Sequence, residues 1–276
     1  MSQGLKTSNE IRNSVPRVFV VGAGIRGRKH LTLEALTYLR QASVVLFFPF
    51  DSITSEWLEK DLEVAKSESL APLYQDGSVD VDNYDRISKK ILETAQEFGS
   101  VAVLIPGHPR VGVSWIQDLE YYDREVKIRL KIIEGISSFD TMLTDLGRDP
   151  LEHGAVVIDA NRMLLYRLNL DPRMDYYIYH VCSVGTSRTH FSNPALNNRL
   201  DLLKNWLLRS FPPNHEVELV QSHTISGKRA IVGTCPLKEL EKLTPPITFG
   251  TSLFLKGVKP SPESLDKEFL AMVTKG

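Results

Sequence analysis

The sequence is poor in several things. It has two cysteines, Cys182 and Cys235, far apart and in no Cys-x-x-Cys pair. That argues against a disulfide framework or a cysteine-based zinc site and points to a reducing cytoplasm. Neither charge is in excess: 33 Lys and Arg against 34 Asp and Glu leave a formal −1. The basic residues are scattered, so there is no electrostatic footprint for nucleic acid. No run of about 18 apolar residues occurs, so no membrane span is expected. Residues 1–16 have no apolar core of a secretory signal and are expected to be a flexible tail. Internal repeats and low-complexity stretches are missing too.

What is there is an ordinary apolar fraction, 42% of 276 residues, enough for one large or two medium domains. Arg17-Val18-Phe19-Val20-Val21 reads as a buried, parallel strand running into Gly22-Ala23-Gly24-Ile25-Arg26-Gly27. Helical spacing begins at Leu33, with Thr32 as N-cap. A second buried strand is expected over Ser43–Phe50, a helix over Ile53–Lys66, and a loop over Leu73–Asn83. From Tyr84 the apolar residues Ile87, Ile91, Ala95 and Phe98 mark an amphipathic helix ended by Gly99. A third buried strand, Val101–Ile105, runs into a second tight turn, Pro106-Gly107-His108-Pro109-Arg110-Val111-Gly112. A helix over Ser114–Glu125, a strand over Lys127–Ile133 and a helix from Ser137 to about Leu146 follow. Strands alternating with helices predict a parallel α/β sheet. The second half alternates more: strands are expected over Ala155–Asp159, Tyr176–Val184, Val217–His223 and Thr251–Lys256, and helices over Leu196–Arg209 and Pro236–Leu243. The expected organisation is a tail (1–16), an N-terminal α/β domain (17–134), a C-terminal α/β domain (135–258) and a tail or short helix (259–276).

The literal Gly-x-Gly-x-x-Gly invites a dinucleotide-binding reading. In that motif the helix starts inside the glycines, so that its N-terminus meets the pyrophosphate. Here Arg26 to His30 delay it, and Asp51 lies too far along for a ribose partner, so an NAD-dependent oxidoreductase is disfavoured. Two glycine turns on one parallel sheet nevertheless open on the same carboxyl edge, where ligands of open α/β sheets bind. Other residues are weaker signals. His108, between Gly and Pro, can be a base or a turn residue. Tyr74, Tyr84, Tyr121 and Tyr122 form no local constellation. Asp76, Asp80, Asp82 and Asp85 lack the closing Glu of a calcium loop, so no metal is expected. Ser137 and Ser138 read as helix caps, and His223 has no nucleophile elbow near it.

Taken in order, Val20-Val21-Gly22-Ala23-Gly24, Leu31-Thr32-Leu33-Glu34-Ala35-Leu36, Gly107-His108-Pro109, Glu134-Gly135-Ile136-Ser137-Ser138 and Asp145-Leu146-Gly147-Arg148-Asp149-Pro150 resemble the tetrapyrrole (corrin/porphyrin) methylase superfamily, the class III S-adenosylmethionine-dependent methyltransferases. The resemblance spans roughly residues 17–257. Gly-His-Pro, in place of the more usual Gly-Asp-Pro, and Leu73-Tyr74-Gln75-Asp76 with Tyr84 are similar to the branch of borosin peptide-backbone N-methyltransferases.

The resemblance implies two α/β domains, the first with a mainly parallel and the second with a mixed sheet, S-adenosylmethionine in a cleft between them, and a homodimer. It implies cofactor contacts from Pro106, Gly107, His108, Val111, Gly112, Ser137 and Ser138, and more loosely from Val181, Cys182 and Thr251. Gly22, Gly24 and Arg26 would shape the substrate side, and Tyr74 and Tyr84 would be catalytic. The borosin branch carries an Arg four residues before the tyrosine matching Tyr84, and a further Tyr three residues before the one matching Tyr74. Asp80 and Ala71 stand there instead. The chain ends soon after the second domain, so the peptide substrate is expected to be a separate molecule. The alternatives are a methyltransferase for a tetrapyrrole or other small molecule, and a non-catalytic cofactor-binding partner of the same fold.

Overall fold

The computed structural model describes residues 15–50, 52–190, 192–222 and 228–274. Most of the expected N-terminal tail, together with Asp51 and His223, lies outside the described residues. The chain divides into two compact units. The first holds Met1–Asp145 and two later segments, Ser187–Asn193 and Ser222–Ala230; the second holds Leu146–Thr186, Pro194–Gln221 and Ile231–Gly276.

The first unit is built on a five-stranded parallel sheet. Its strands are β1 (Arg17–Gly22), β2 (Val44–Phe47), β3 (Ser67–Ser69), β4 (Ser100–Ile105) and β5 (Arg129–Ile133), in the order β3-β2-β4-β1-β5. Its helices are α1 (Leu33–Gln41), α2 (Asp80–Phe98), α3 (Ile116–Arg124) and α4 (Ser138–Leu146). The continuous apolar runs of β1, β2 and β4 exist because both faces of the sheet are covered. Alternation then sorts the side chains. Phe19 and Val21 pack with Ala35 and Leu39 of α1, while Val18 and Val20 pack with Ile87, Ile91 and Ala95 of α2. Thr32 caps α1, its hydroxyl accepting the Ala35 N–H at 3.0 Å, and Gly99 ends α2 at φ 77.

Two local expectations change. The helix over Ile53–Lys66 shrinks to a short segment whose π-wound turn covers Trp57–Asp61; Glu63 then takes φ 59, which stops helical propagation and frees Ser67–Ser69 to become β3. The loop over Leu73–Asn83 is shorter than expected, because α2 starts at Asp80 and not at Tyr84. Asp80 and Asp82 fill its first turn, where unpaired N–H groups favour carboxylates.

The second unit carries a mixed sheet in the order β6-β7-β10-β8-β9. Its strands are β6 (Ala155–Asp159), β7 (Asp175–Tyr179), β8 (Glu216–Val220), β9 (Ile231–Pro236) and β10 (Ser252–Leu255). β6 and β7 are parallel; the other pairs are antiparallel. Helices α5 (Pro150–His153), α6 (Ala160–Leu165), α7 (Leu200–Leu207) and α8 (Lys267–Thr274) accompany it. Leu200, Leu203 and Leu207 give α7 one apolar face on a core with Ile178, Val217, Leu219 and Leu253. Asp175, 1% exposed at the start of β7, receives both Nε (2.7 Å) and Nη2 (3.0 Å) of Arg148 and the Gly257 N–H (2.7 Å).

Here too the sequence expectation is corrected in places. The strand over Tyr176–Val184 stops at Tyr179, because His180 turns to φ 55. The strand over Val217–His223 runs as Glu216–Val220, and the helix over Leu196–Arg209 starts only at Leu200. The helix over Pro236–Leu243 is a kinked 3-10 run from Leu237. β9, α5 and α6 are elements the sequence pattern did not single out.

Candidate functional site

Because β1, β4 and β5 are parallel neighbours, their following loops emerge at one carboxyl edge. There they meet backbone on backbone. A Cβ on Gly22 would lie 2.7 Å from the Gly107 carbonyl oxygen and 2.7 Å from Gly135 N; a Cβ on Gly135 would lie 2.5 Å from that same oxygen. Only glycine allows this approach. Gly24 and Gly107 close it with a two-bond bridge, at 3.2 and 2.9 Å.

The loop after β1 folds around His30. Its Nδ1 accepts the N–H groups of Ile25 (3.2 Å) and Arg26 (3.3 Å). Burial, reinforced by the Arg26 charge, lowers the His30 pKa and so keeps that nitrogen an acceptor. The N–H groups that would cradle a pyrophosphate are therefore spent, and α1 begins only at Leu33. Both facts run against a dinucleotide site. Arg26 Nε is buried with no hydrogen-bond partner, an orphaned donor of the kind a bound oxygen satisfies.

In the turn after β4, Pro106 and Gly112 are exposed and His108 and Val111 half-buried. His108 Nδ1 accepts the Arg110 N–H at 3.0 Å. This is the bond an aspartate makes to the residue two further on, so histidine here builds the turn with a ring nitrogen in place of a carboxylate. Arg110 is held in turn by Glu120 of α3. Ser137, buried, forms a reciprocal cap with Asp140: its N–H and hydroxyl both donate to Oδ2 at 2.7 Å, and its oxygen accepts the Asp140 N–H at 3.2 Å. Ser138 is half-buried in the first turn of α4.

Tyr74 and Tyr84 are half-buried against the cluster that holds Ile105 and Trp115. The Tyr74 hydroxyl donates to Asp80 Oδ1 at 3.0 Å. Burial, then the Asp80 charge and this hydrogen bond, push the phenol well above its ordinary pKa. Tyr74 is thus a hydrogen-bond donor at physiological pH, not a phenolate. Asp80 has further duties. Its Oδ1 accepts the Thr189 N–H and its Oδ2 the Thr189 hydroxyl, both at 3.0 Å, and its own N–H donates to the Ser187 carbonyl at 2.9 Å. Gly77 N donates to the Thr189 carbonyl at 3.1 Å, and Ser192 donates to Asp76. Segment 187–193 is thereby strapped onto the loop that carries Tyr74.

In the second unit Val181 and Cys182 are buried in the core, and the Val181 carbonyl is taken by Asn198 Nδ2 at 2.8 Å. The Thr251 hydroxyl donates to the Thr248 carbonyl at 2.7 Å and accepts the Thr248 N–H at 3.1 Å, closing its own turn. A pair not singled out in the sequence stands at this sheet's edge: His180 Nδ1 lies 2.7 Å from Asp159 Oδ2. The two are 21 residues apart, and the available signal was their position, each at the end of a parallel strand. Among the described residues no group of three or more His, Cys, Asp or Glu is placed to hold a metal ion. Both cysteines are buried and unbridged.

The family model of the tetrapyrrole (corrin/porphyrin) methylases matches residues 17–241. The chain is 31% identical over 198 residues to a methyltransferase/ribosomally synthesized type II borosin cyclic peptide precursor of Phlebiopsis gigantea, an alignment covering 72% of this chain and 35% of that protein. It likewise spans less than two thirds of the length of the type I borosin precursors aligned with it. Among solved structures it is similar to the uroporphyrin-III-C-methyltransferase of Thermus thermophilus, with TM-score 0.60, 21% identity and coverage of 91% of this chain and 99% of that one. A structure of uroporphyrin-III C-methyltransferase from the same organism, complexed with S-adenosylhomocysteine, aligns at TM-score 0.56 and 18% identity over 87% of this chain and 92% of that one. At these identities the structural likeness speaks for the fold.

Proposed function

The chain belongs to the tetrapyrrole (corrin/porphyrin) methylases, and from that premise we propose that it is an S-adenosylmethionine-dependent methyltransferase that N-methylates backbone amides of a peptide. The observation that carries the peptide reading is the 31% identity to a borosin precursor over 72% of this chain. The cofactor supplies a methyl group on a sulfonium, electrophilic at carbon.

The residues present fit that cofactor. Exposed Pro106 and Gly112 leave the backbone of that turn accessible, and on the proposed substrate side the orphaned Arg26 Nε suits a carbonyl oxygen of the acceptor. The proposed binding set is Pro106, Gly107, His108, Val111, Gly112, Ser137 and Ser138, with Val181, Cys182 and Thr251. Their hydrogen bonds divide the work: His108 and Ser137 use their side chains to hold turns, which presents main-chain groups in fixed positions and lowers the ordering cost of binding. Gly22 and Gly24 set the substrate edge. An amide nitrogen is a poor nucleophile because its lone pair is delocalised. Tyr74 and Tyr84 are the proposed catalytic residues, Tyr74 kept protonated with its O–H directed at Asp80 Oδ1. On the same footing we propose that the protein acts in the cytoplasm as a homodimer, and on neither nucleic acid nor membrane lipid. No described helix is long and apolar enough to cross a membrane.

Calorimetry with S-adenosylmethionine and S-adenosylhomocysteine tests the cofactor; mass spectrometry of an apolar peptide incubated or co-expressed with the protein tests the acceptor. The expected result is stepwise mass gain by methyl equivalents on backbone nitrogens. Bound cofactor with unmodified peptide would refute the peptide reading and turn attention to a tetrapyrrole or other small-molecule acceptor.

A further inference from the structure

A sheet ends in strands whose outer N–H and C=O groups have no ladder partner, and proteins guard such edges with brevity, charge, glycine bulges or proline. Three of the four sheet edges here are guarded. β3 is three residues long and carries Glu68, paired with Lys90. β5 carries Arg129 and Lys131, and its Leu130 N–H donates to Asp123 Oδ1 at 2.9 Å. β9 contains Gly233 and Pro236 and pairs with β8 across a register shift.

The fourth edge is β6. Its sequence, Ala155-Val156-Val157-Ile158-Asp159, has no glycine or proline and no charge before its last residue. It ends the second sheet, in register with β7 on one side. On the other side, no backbone of another described segment bonds to Val156, Val157 or Ile158. Val156 and Ile158 pack on the core of the second unit, while Val157 is 46% exposed. An uninterrupted apolar edge of this kind is a template for one more strand.

The flanks of β6 are apolar as well. Leu151, in α5 before the strand, is 94% exposed; Leu165 and Tyr166, at the end of α6 after it, are 75% and 56% exposed. Exposed apolar residues on both sides of one bare edge mark an interaction surface. Two charges frame it: Glu152 before the strand and Arg162 after it, both exposed. The charge of Asp159 is engaged at home, with Oδ2 2.7 Å from His180 Nδ1 and Oδ1 accepting the Arg162 N–H at 2.7 Å.

This layout is complementary to itself. In an antiparallel pair the start of one strand lies beside the end of the other. If the incoming strand is a second β6, related by a two-fold axis normal to the sheet, both core faces stay on one side and opposed residues share the alternation. Of such registers, only the one centred on Val157 pairs all five residues: Val157 with its own copy, Val156 with Ile158, Ala155 with Asp159. No like charges then oppose each other within the pair. The end of the strand that carries Glu152 and Leu151 comes to the end where the second copy carries Arg162, Leu165 and Tyr166, so acid meets base and apolar meets apolar.

We propose that two copies of this chain join edge to edge through β6, antiparallel about a two-fold axis at Val157, making one ten-stranded sheet of two five-stranded ones. The pairing uses up both bare edges and therefore closes at two copies. This deepens the homodimer reading and rests on it; it does not depend on which acceptor is methylated.

The test uses the full chain. Light scattering at micromolar concentration is expected to give twice the 31.1 kDa of one chain. Directly opposed residues of an antiparallel pair have Cα atoms about 4.5–5.5 Å apart, within reach of a disulfide. Val157→Cys is therefore expected to cross-link to its own copy on mild oxidation, while the unaltered chain, whose two cysteines are buried, and the exposed control Leu33→Cys are not. Val157→Lys sets two ammonium groups across the axis and is expected to raise the dimer Kd by about 100-fold or more, with circular dichroism unchanged. Glu152→Arg should weaken the dimer, and adding Arg162→Glu should restore it. A dimer in which Val157→Cys does not cross-link overturns the β6 interface alone. A chain that is monomeric at micromolar concentration overturns the homodimer reading and this one together, and leaves the methyltransferase reading standing.

Discussion

Gly22→Ala is the sharpest test of how the first unit is assembled. The new methyl would stand 2.7 Å from the Gly107 oxygen and from Gly135 N, and 2.8 Å from Gly135 Cα. Ordinary contact begins at 3.4 Å, so two neighbouring backbones must each retreat by about 0.7 Å. They are strand ends in a parallel sheet and cannot yield as a side chain would. Overpacking of this kind costs about 1–3 kcal/mol. The retreat also stretches the 3.2 Å bond from Gly24 N to Gly107 O, adding about 1 kcal/mol. The total, about 2–4 kcal/mol, corresponds to a fall in Tm on the order of 10 °C for a domain of this size. Gly107→Ala is the control. It has φ 73, but its Cβ would meet only Ile25 Cδ1 at 3.7 Å, so the left-handed penalty of about 1–2 kcal/mol is its whole cost. Differential scanning calorimetry, with and without S-adenosylmethionine, should rank Gly22→Ala below Gly107→Ala in Tm, and Gly22→Ala should also weaken cofactor binding by shifting the turn after β4. Equal Tm values for Gly22→Ala and the unaltered chain would refute the backbone-contact argument.

Three further outcomes are expected. His30 has a lowered pKa, so the unfolded chain takes up its proton first as pH falls; stability is full above its ordinary 6.5 and declines below it, and urea midpoints of His30→Gln should depend less steeply on pH in that window than those of the unaltered chain. Asp175→Asn leaves the partly buried Arg148 guanidinium without its carboxylate and should destabilise the second unit by about 3 kcal/mol in urea unfolding. Ultraviolet titration should find Tyr74, Tyr176 and Tyr177 still protonated beyond the ordinary 10.0, each raised first by burial, and Tyr74→Phe should shrink that late phase by one tyrosine, since burial and Asp80 hold this phenol up.

The sheet of the first unit was legible because its strands are buried on both faces: Val18–Val21 and Val101–Ile105 are unbroken apolar runs between glycines and helices. β9 was not, since it is an edge strand whose Gly233 and Pro236 weaken the pattern. The start of α2 was misjudged because Asp80, Val81 and Asp82 read as loop composition, while their value lies in the helix terminus they occupy. At the site, the glycine spacing invited a dinucleotide and the late helix start spoke against one; His30 adds a reason that only the fold shows, since its ring takes the Ile25 and Arg26 N–H groups. Asp80 reads in the sequence as a lost positive charge. In the fold it ties Tyr74 to Thr189, 109 residues further on, a role no local window could reveal. His180 and Asp159 escaped for the same reason.

The strap of residues 187–193 also bears on how the chain is made. Asp80 and Asp76 find their partners, Thr189 and Ser192, only after more than a hundred further residues have been synthesised, and Asp145 waits for Ser222 in the same way. Contacts so distant in sequence slow folding, because the loop they close must be ordered before they stabilise anything. The N-terminal sheet can form as it emerges from the ribosome, but the loop bearing Tyr74 stays unfastened until the second half arrives. A nascent chain halted near residue 145 would hold the strands of the first sheet and still lack a finished Tyr74 loop, which is fastened only once Thr189 and Ser192 have been made.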